Sequence, residues 1–169
     1  MSNLVAVIPF SIIPKSDAWP PEGDQWRALD GSIGIYPTLA QLKTAIRSLN
    51  PAKVDISFDP DVRPTPRWYC YVEFGPVEHR PGAHAYHTGG GFEVNCEVVD
   101  DSDGVPVTSL GFRGVTADWV FALCQPLVAA CGPLVAVDGG CGQCALLTEH
   151  SELASFRATL NCEDASPPI

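Results

Sequence analysis

The chain has 169 residues, a hydrophobic fraction of 46% and a formal net charge of −10, a profile that fits one domain able to bury its core without metal or disulfides. No run of about 18 apolar residues occurs, so no membrane-spanning helix is expected. The charge disfavours nucleic acid and anionic membrane as partners and favours basic ones.

The opening Met1–Phe10 lacks a basic start and a small-residue cleavage site, and Pro9 interrupts it, so it reads as a first strand rather than a signal peptide. Residues 14–37, rich in Pro, Gly and Asp, read as a long ordered loop pinned by Trp19 and Trp26. A helix is expected over 38–49. Thr38 and Gln41 form a capping box, and Leu39, Leu42, Ile46 and Leu49 recur at helical spacing until Asn50-Pro51 ends the ladder. Strands are expected at 53–58 and 67–74. On the second, Trp68, Cys70 and Val72 face one way, while Tyr69 and Tyr71 face the other and read as a second buried face or as interface anchors.

Residues 91–99 alternate Phe92, Val94, Cys96 and Val98 against Glu93, Asn95 and Glu97, and a hairpin through Asp100–Gly104 should return as a strand at 105–112. A second helix is expected over 116–131, with Val120, Leu123, Cys124, Leu127, Val128 and Cys131 on one stripe and Pro126 kinking or splitting it. Strands 134–138 and 144–148 flank the turn Gly139–Gln143. Ser151 then caps a third helix to about 161, with Leu153, Phe156 and Leu160 inward. Hairpins outnumber crossovers, so the fold class is α+β: a mainly antiparallel sheet with two to three helices packed on one face. The single domain spans 1–161, and residues 162–169 read as a frayed tail.

Four of the seven cysteines (Cys70, Cys96, Cys124 and Cys131) fall on apolar faces, a use as small hydrophobes that fits a reducing compartment, the cytoplasm. Cys141-x-x-Cys144 has the spacing to grip zinc, with His84 and His87 as further ligands. One Cys pair in a chain with a full core points instead to a hairpin turn, and no metal or cofactor is expected. His79, His84 and His87 share one loop near Glu73, the minimum for acid–base catalysis, yet no positioned partner is legible. Asp59-x-Asp61 reads as turn chemistry. Gly89-Gly90-Gly91 opens a strand rather than a helix, so it is a bulge or tight strand entry rather than a phosphate loop. No Gly-x-Ser-x-Gly elbow occurs.

The acidity is lopsided. Residues 1–90 hold nine acids against eight bases, whereas residues 91–169 hold eleven acids against Arg113 and Arg157. Glu93, Glu97, Asp100, Asp101 and Asp103 gather on the 91–103 arm, and no Lys or Arg lies between Arg80 and Arg113. The leading reading is a small acidic binding protein that neutralises or regulates a basic protein partner through those five carboxylates. In size and acidity the chain is similar to bacterial toxin-immunity proteins, a likeness of profile carried by no motif, which implies a basic toxin as one form of partner. The alternative is a metal-binding or hydrolytic enzyme using His79, His84 and His87, or Cys141 and Cys144.

Overall fold

The computed structural model describes residues 4–13, 29, 34–78, 86–87 and 89–160. In chain order the strands are β1 Leu4–Pro9, β2 Lys53–Asp59, β3 Arg67–Glu73, β4 Val77–Glu78, β5 Tyr86–His87, β6 Gly91–Glu97, β7 Gly111–Arg113, β8 Leu134–Asp138 and β9 Cys144–Leu147. Seven of them form one sheet in the order β2-β3-β6-β7-β1-β8-β9, and every pairing in it is antiparallel. The small β4–β5 ribbon was not anticipated from the sequence. The helices are α1 Leu39–Ser48, α2 Ala117–Cys124, α3 Val128–Cys131 and α4 Leu153–Leu160. The fold is therefore α+β, an antiparallel sheet carrying its helices on one face, as the hairpin-rich pattern implies.

Local rules account for most elements. Thr38 caps α1 with the reciprocal pair of hydrogen bonds to Gln41, and Asn50 leaves the helix at a left-handed φ of 54° before Pro51. Pro126 splits the second helical stretch: Gln125–Leu127 is a single 3-10 turn between α2 and α3. All six residues of the expected stripe, Val120 to Cys131, are buried. At the entry to β6, Gly90 has φ +73°, and a Cβ on Gly91 would collide with the Val72 carbonyl, so both positions need glycine.

One core joins the helices to the inner face of the sheet, with Trp68, Phe92 and Phe112 at its centre and Leu39, Leu42 and Ile46 from α1. Trp119 stacks on Phe74 with ring centroids 4.1 Å apart. Helix α4 is held to α2 by the Phe121–Phe156 ring pair and by Arg157, whose Nε and Nη2 each reach an Asp118 carboxylate oxygen at 2.7 Å. A second, small cluster covers the outer face of β8 and β9, where Phe10, Ile13 and Leu29 lie against Val135, Val137 and Leu146.

Two expectations are corrected. The strand expected at 105–112 forms only as Gly111–Arg113. Beyond Val98 the chain turns toward α1, where the Val105 and Asp103 carbonyls accept the Leu39 and Ala40 N–H groups, and it keeps isolated bonds to the sheet at Thr108 and Leu110 before β7 begins. Ser151 does not cap α4. Its hydroxyl accepts from Thr148 N–H and donates to the Leu146 carbonyl, tying the chain back onto β9. Strand β2 forms as expected and is exposed along most of its length, with Val54 40% and Ile56 50% exposed, while Phe58 packs against the edge of the core. Most of the tryptophan-bearing loop, the histidines at 79 and 84, and residues 161–169 lie outside the described residues.

Leu123 is fully buried at the centre of the stripe, so Leu123→Ala should cost about 2–5 kcal/mol, read as a lower urea midpoint at unchanged slope.

Candidate functional site

The five carboxylates expected to meet a partner divide into two groups. Glu93 and Glu97 alternate with Phe92, Val94 and Cys96 along β6 and stand on the sheet face away from the helices. Asp100, Asp101 and Asp103 sit in the connection that leaves β6 and passes the N-terminus of α1.

The fold neutralises part of this acidity from afar. Arg67, opposite Glu97 in the β3–β6 register, donates to its Oε1 at 3.1 Å. Lys43 of α1 reaches Asp103 Oδ1 at 2.7 Å and holds its carboxyl below the ordinary range. Asp100 accepts both the N–H and the hydroxyl of Ser102, which lower its pKa in the same sense. Glu93 accepts from Asn95 Nδ2 at 3.4 Å and stands opposite Arg113 of β7. Asp101 is exposed at the tip of the turn. The expectation that the arm goes without cations holds along the sequence and fails in space.

The α1 end explains why acids gather here. Its first amide donors are met by Val105 O at 2.8 Å, Asp103 O at 2.9 Å and Thr38 Oγ1 at 3.2 Å. The aspartates that arrive with this loop bring negative charge to the positive end of the helix dipole.

On the same outer face Tyr69 is half-buried and Tyr71 is 42% exposed, which corrects the reading of a second buried face. The Tyr71 hydroxyl reaches the place that a Cβ on Gly91 would occupy, and the Asn95 amide does the same at Gly111. These glycines let the polar side chains lie flat on the sheet. The Tyr36 phenol, near Glu97, has its pKa raised by burial first and by that carboxylate second. Nothing in the pattern of residues 34–37 signals this approach.

Of the residues weighed for an enzyme, Cys141 and Cys144 are fully described, whereas His79 and His84 lie outside the described residues. Cys141 is disulfide-bonded while Cys144 is a free thiol, so the pair does not present two thiolates to one metal ion. Their turn is organised instead by Asp138, the buried carboxylate at the end of β8, whose Oδ1 accepts Gly140 N–H at 2.7 Å and Cys141 N–H at 3.1 Å. Of the histidine loop, only Tyr86–His87 is described, as backbone paired to β4. Among the described residues no group of three or more His, Cys, Asp or Glu is placed to hold a metal ion. Asp59 accepts the Asp61 N–H at 3.0 Å, an ordinary turn contact.

Burial pushes the Cys70 thiol up to about 11 and Cys96 to about 12, and raises Cys124 and Cys131 as well. Alkylation of the native protein at mildly alkaline pH, resolved by mass spectrometry, should modify the more accessible Cys144 ahead of these four. A second outcome concerns Lys43. The Asp103 pKa is depressed in the folded state, so its contribution to stability is complete above the ordinary carboxylate value of about 4 and fades as pH falls through the folded value. Urea midpoints should therefore separate wild type from Lys43→Met at neutral pH and converge in acid.

Among the described residues, no helix is long and apolar enough to cross a membrane. No protein-family model matches the chain, and no curated protein or solved structure matches it.

Proposed function

We propose that this chain is a binding protein that neutralises or regulates a basic protein partner. The observation that supports this best is the outer face of β3 and β6, which carries Tyr69 and Tyr71 beside Glu93 and Glu97, with no helix laid over them among the described residues. Tyrosines supply rigid contact area at low entropic cost, and flanking carboxylates select a cationic surface. The turn at Asp100 and Asp101 follows β6 in the chain and adds to the negative field. The net charge of −10 acts in the same direction.

The five arm carboxylates hold different parts in this reading. Glu97 and Asp103 answer to Arg67 and Lys43 within the chain, so they shape the surface more than they meet the partner. Glu93 and Asp101 are the charges best suited to steer association. Cytoplasmic residence belongs to the same proposal: the buried free thiols of Cys70, Cys96, Cys124 and Cys131 suit a reducing compartment, and the Cys141 disulfide is the feature that pulls the other way. A toxin neutralised by its immunity protein is one form such a pair takes.

The test is association kinetics against the basic protein that co-purifies with the chain, over a range of salt. The wild-type on-rate should fall steeply with salt, because screening shortens to about 8 Å at physiological ionic strength. Glu93→Lys combined with Asp101→Lys should slow association about tenfold with little change in dissociation. Tyr71→Ala should act on dissociation instead, at a cost of about 1–2 kcal/mol. An on-rate indifferent to salt and to charge reversal removes this face from the interface.

A further inference from the structure

Strand β2 closes one end of the sheet. It pairs with β3 on one side and, among the described residues, with nothing on the other. The ladder determines which of its backbone groups are free. Phe74 donates its N–H to the Gly90 carbonyl and Val98 donates to the Pro66 carbonyl, and these pairs continue the β3–β6 register by one step at each end. Even-numbered residues of β3 therefore bond to β6 and odd-numbered ones to β2, since backbone groups alternate sides along a strand. On β2 the odd-numbered residues bond inward. Val54, Ile56 and Phe58 direct their N–H and C=O groups outward.

The side chains of these same three residues lie on the helix-bearing face, where Val54 and Ile56 are among the large hydrophobic side chains left exposed. A long edge with free hydrogen-bonding groups and apolar side chains is a template for another strand.

We propose that the chain forms a two-fold dimer through β2, a second copy adding its own Lys53–Asp59 antiparallel in a register centred on Ile56. The strand is complementary to itself about that axis. Lys53 faces Asp59 of the second copy, Val54 faces Phe58, Asp55 faces Ser57 and Ile56 faces Ile56. An axis at Asp55 would set two aspartates against each other. An axis at Ser57 would oppose Asp55 and Asp59 twice, and axes at Val54 or Phe58 would pair only the strand's ends. Among two-fold registers that keep both helical layers on one side, the Ile56 axis alone pairs all seven residues and sets Lys opposite Asp.

In that register Val54, Ile56 and Phe58 each enter a closely bonded pair, exchanging two hydrogen bonds with the residue opposite. Lys53, already 3.1 Å from Asp55 in its own chain, gains a second carboxylate across the axis. Two seven-stranded sheets become one continuous sheet. This inference is independent of the basic-partner reading, because the outer face of β3 and β6 stays open in the dimer.

Sedimentation velocity of the full chain, from low to high micromolar concentration, reads the dimer directly. Wild type should dimerise, and Ile56→Pro should raise the dissociation constant about tenfold or more. The proline removes an N–H aimed at the free edge rather than one bonded to β3, so the circular dichroism spectrum should stay that of the wild type. A charge cycle tests the register. Lys53→Asp and Asp59→Lys should each weaken the dimer, and the double variant should restore it, a recovery that the fold of one chain does not explain, because Arg67 opposite Asp59 is unchanged. Should Ile56→Pro fail to fold, the cycle decides alone. Wild type that stays monomeric, a dimer indifferent to the cycle, or an edge that takes only a different protein would each overturn the proposal.

Discussion

Strand β1 holds the molecule together. It lies between β7 and β8, pairing Leu4–Ala6 with Gly111–Arg113 on one side and Val5–Pro9 with Leu134–Asp138 on the other. Without it the sheet would fall into a four-stranded part, β2-β3-β6-β7, and the β8–β9 hairpin. Val5 and Val7 point into the helix-covered core, and a further bond from Val7 N–H to the Leu110 carbonyl extends the seam. The pairing joins the first residues of the chain to residues more than a hundred positions later. Such closure is slow to form and depends on the whole chain being present.

The second organising contact is electrostatic. The loop after β6 leaves the regular ladder over most of residues 99–109 to close the amino end of α1, which it does with two carbonyls and the aspartate–lysine pair. A helix start that is buried against other elements needs its amide donors satisfied, and the loop supplies partners that the strand expected there would have spent on its neighbour. Acidity that looked like a surface device thus has a use inside the fold, and the carboxylates left for the proposed recognition are fewer than the composition suggests.

Helical cover is uneven, and the exposed surfaces follow from that. The helices pack over β3, β6, β7, β1, β8 and β9 on one face, and among the described residues the small Phe10 cluster lies on the other face at β8 and β9. What remains open among the described residues includes the polar outer face of β3 and β6 and most of β2. The first carries two tyrosines and mixes charges. The second offers backbone groups and aliphatic side chains along an edge. The two surfaces do not overlap, so the proposed basic partner and the proposed second copy would make compatible demands on the same chain.

Much of the local structure is legible from the sequence alone, because it depends on neighbours within a few residues. The capping box at Thr38, the stop at Asn50-Pro51, the break at Pro126 and the buried stripe from Val120 to Cys131 are all short-range consequences of periodicity and backbone chemistry. The antiparallel α+β class follows from the same patterns. What only the tertiary structure decided concerns residues far apart in the chain. Lys43 meets Asp103 across 60 positions and Arg67 meets Glu97 across 30, and no spacing rule announces either pair. Alternation along β2 and β3 marks two faces without saying which will be covered, so the exposure of Ile56 and Tyr71 depended on where the helices came to rest. The Cys141-x-x-Cys144 spacing was likewise silent on its chemistry, since the disulfide at Cys141 and the Asp138 turn are set by chain geometry rather than by the motif.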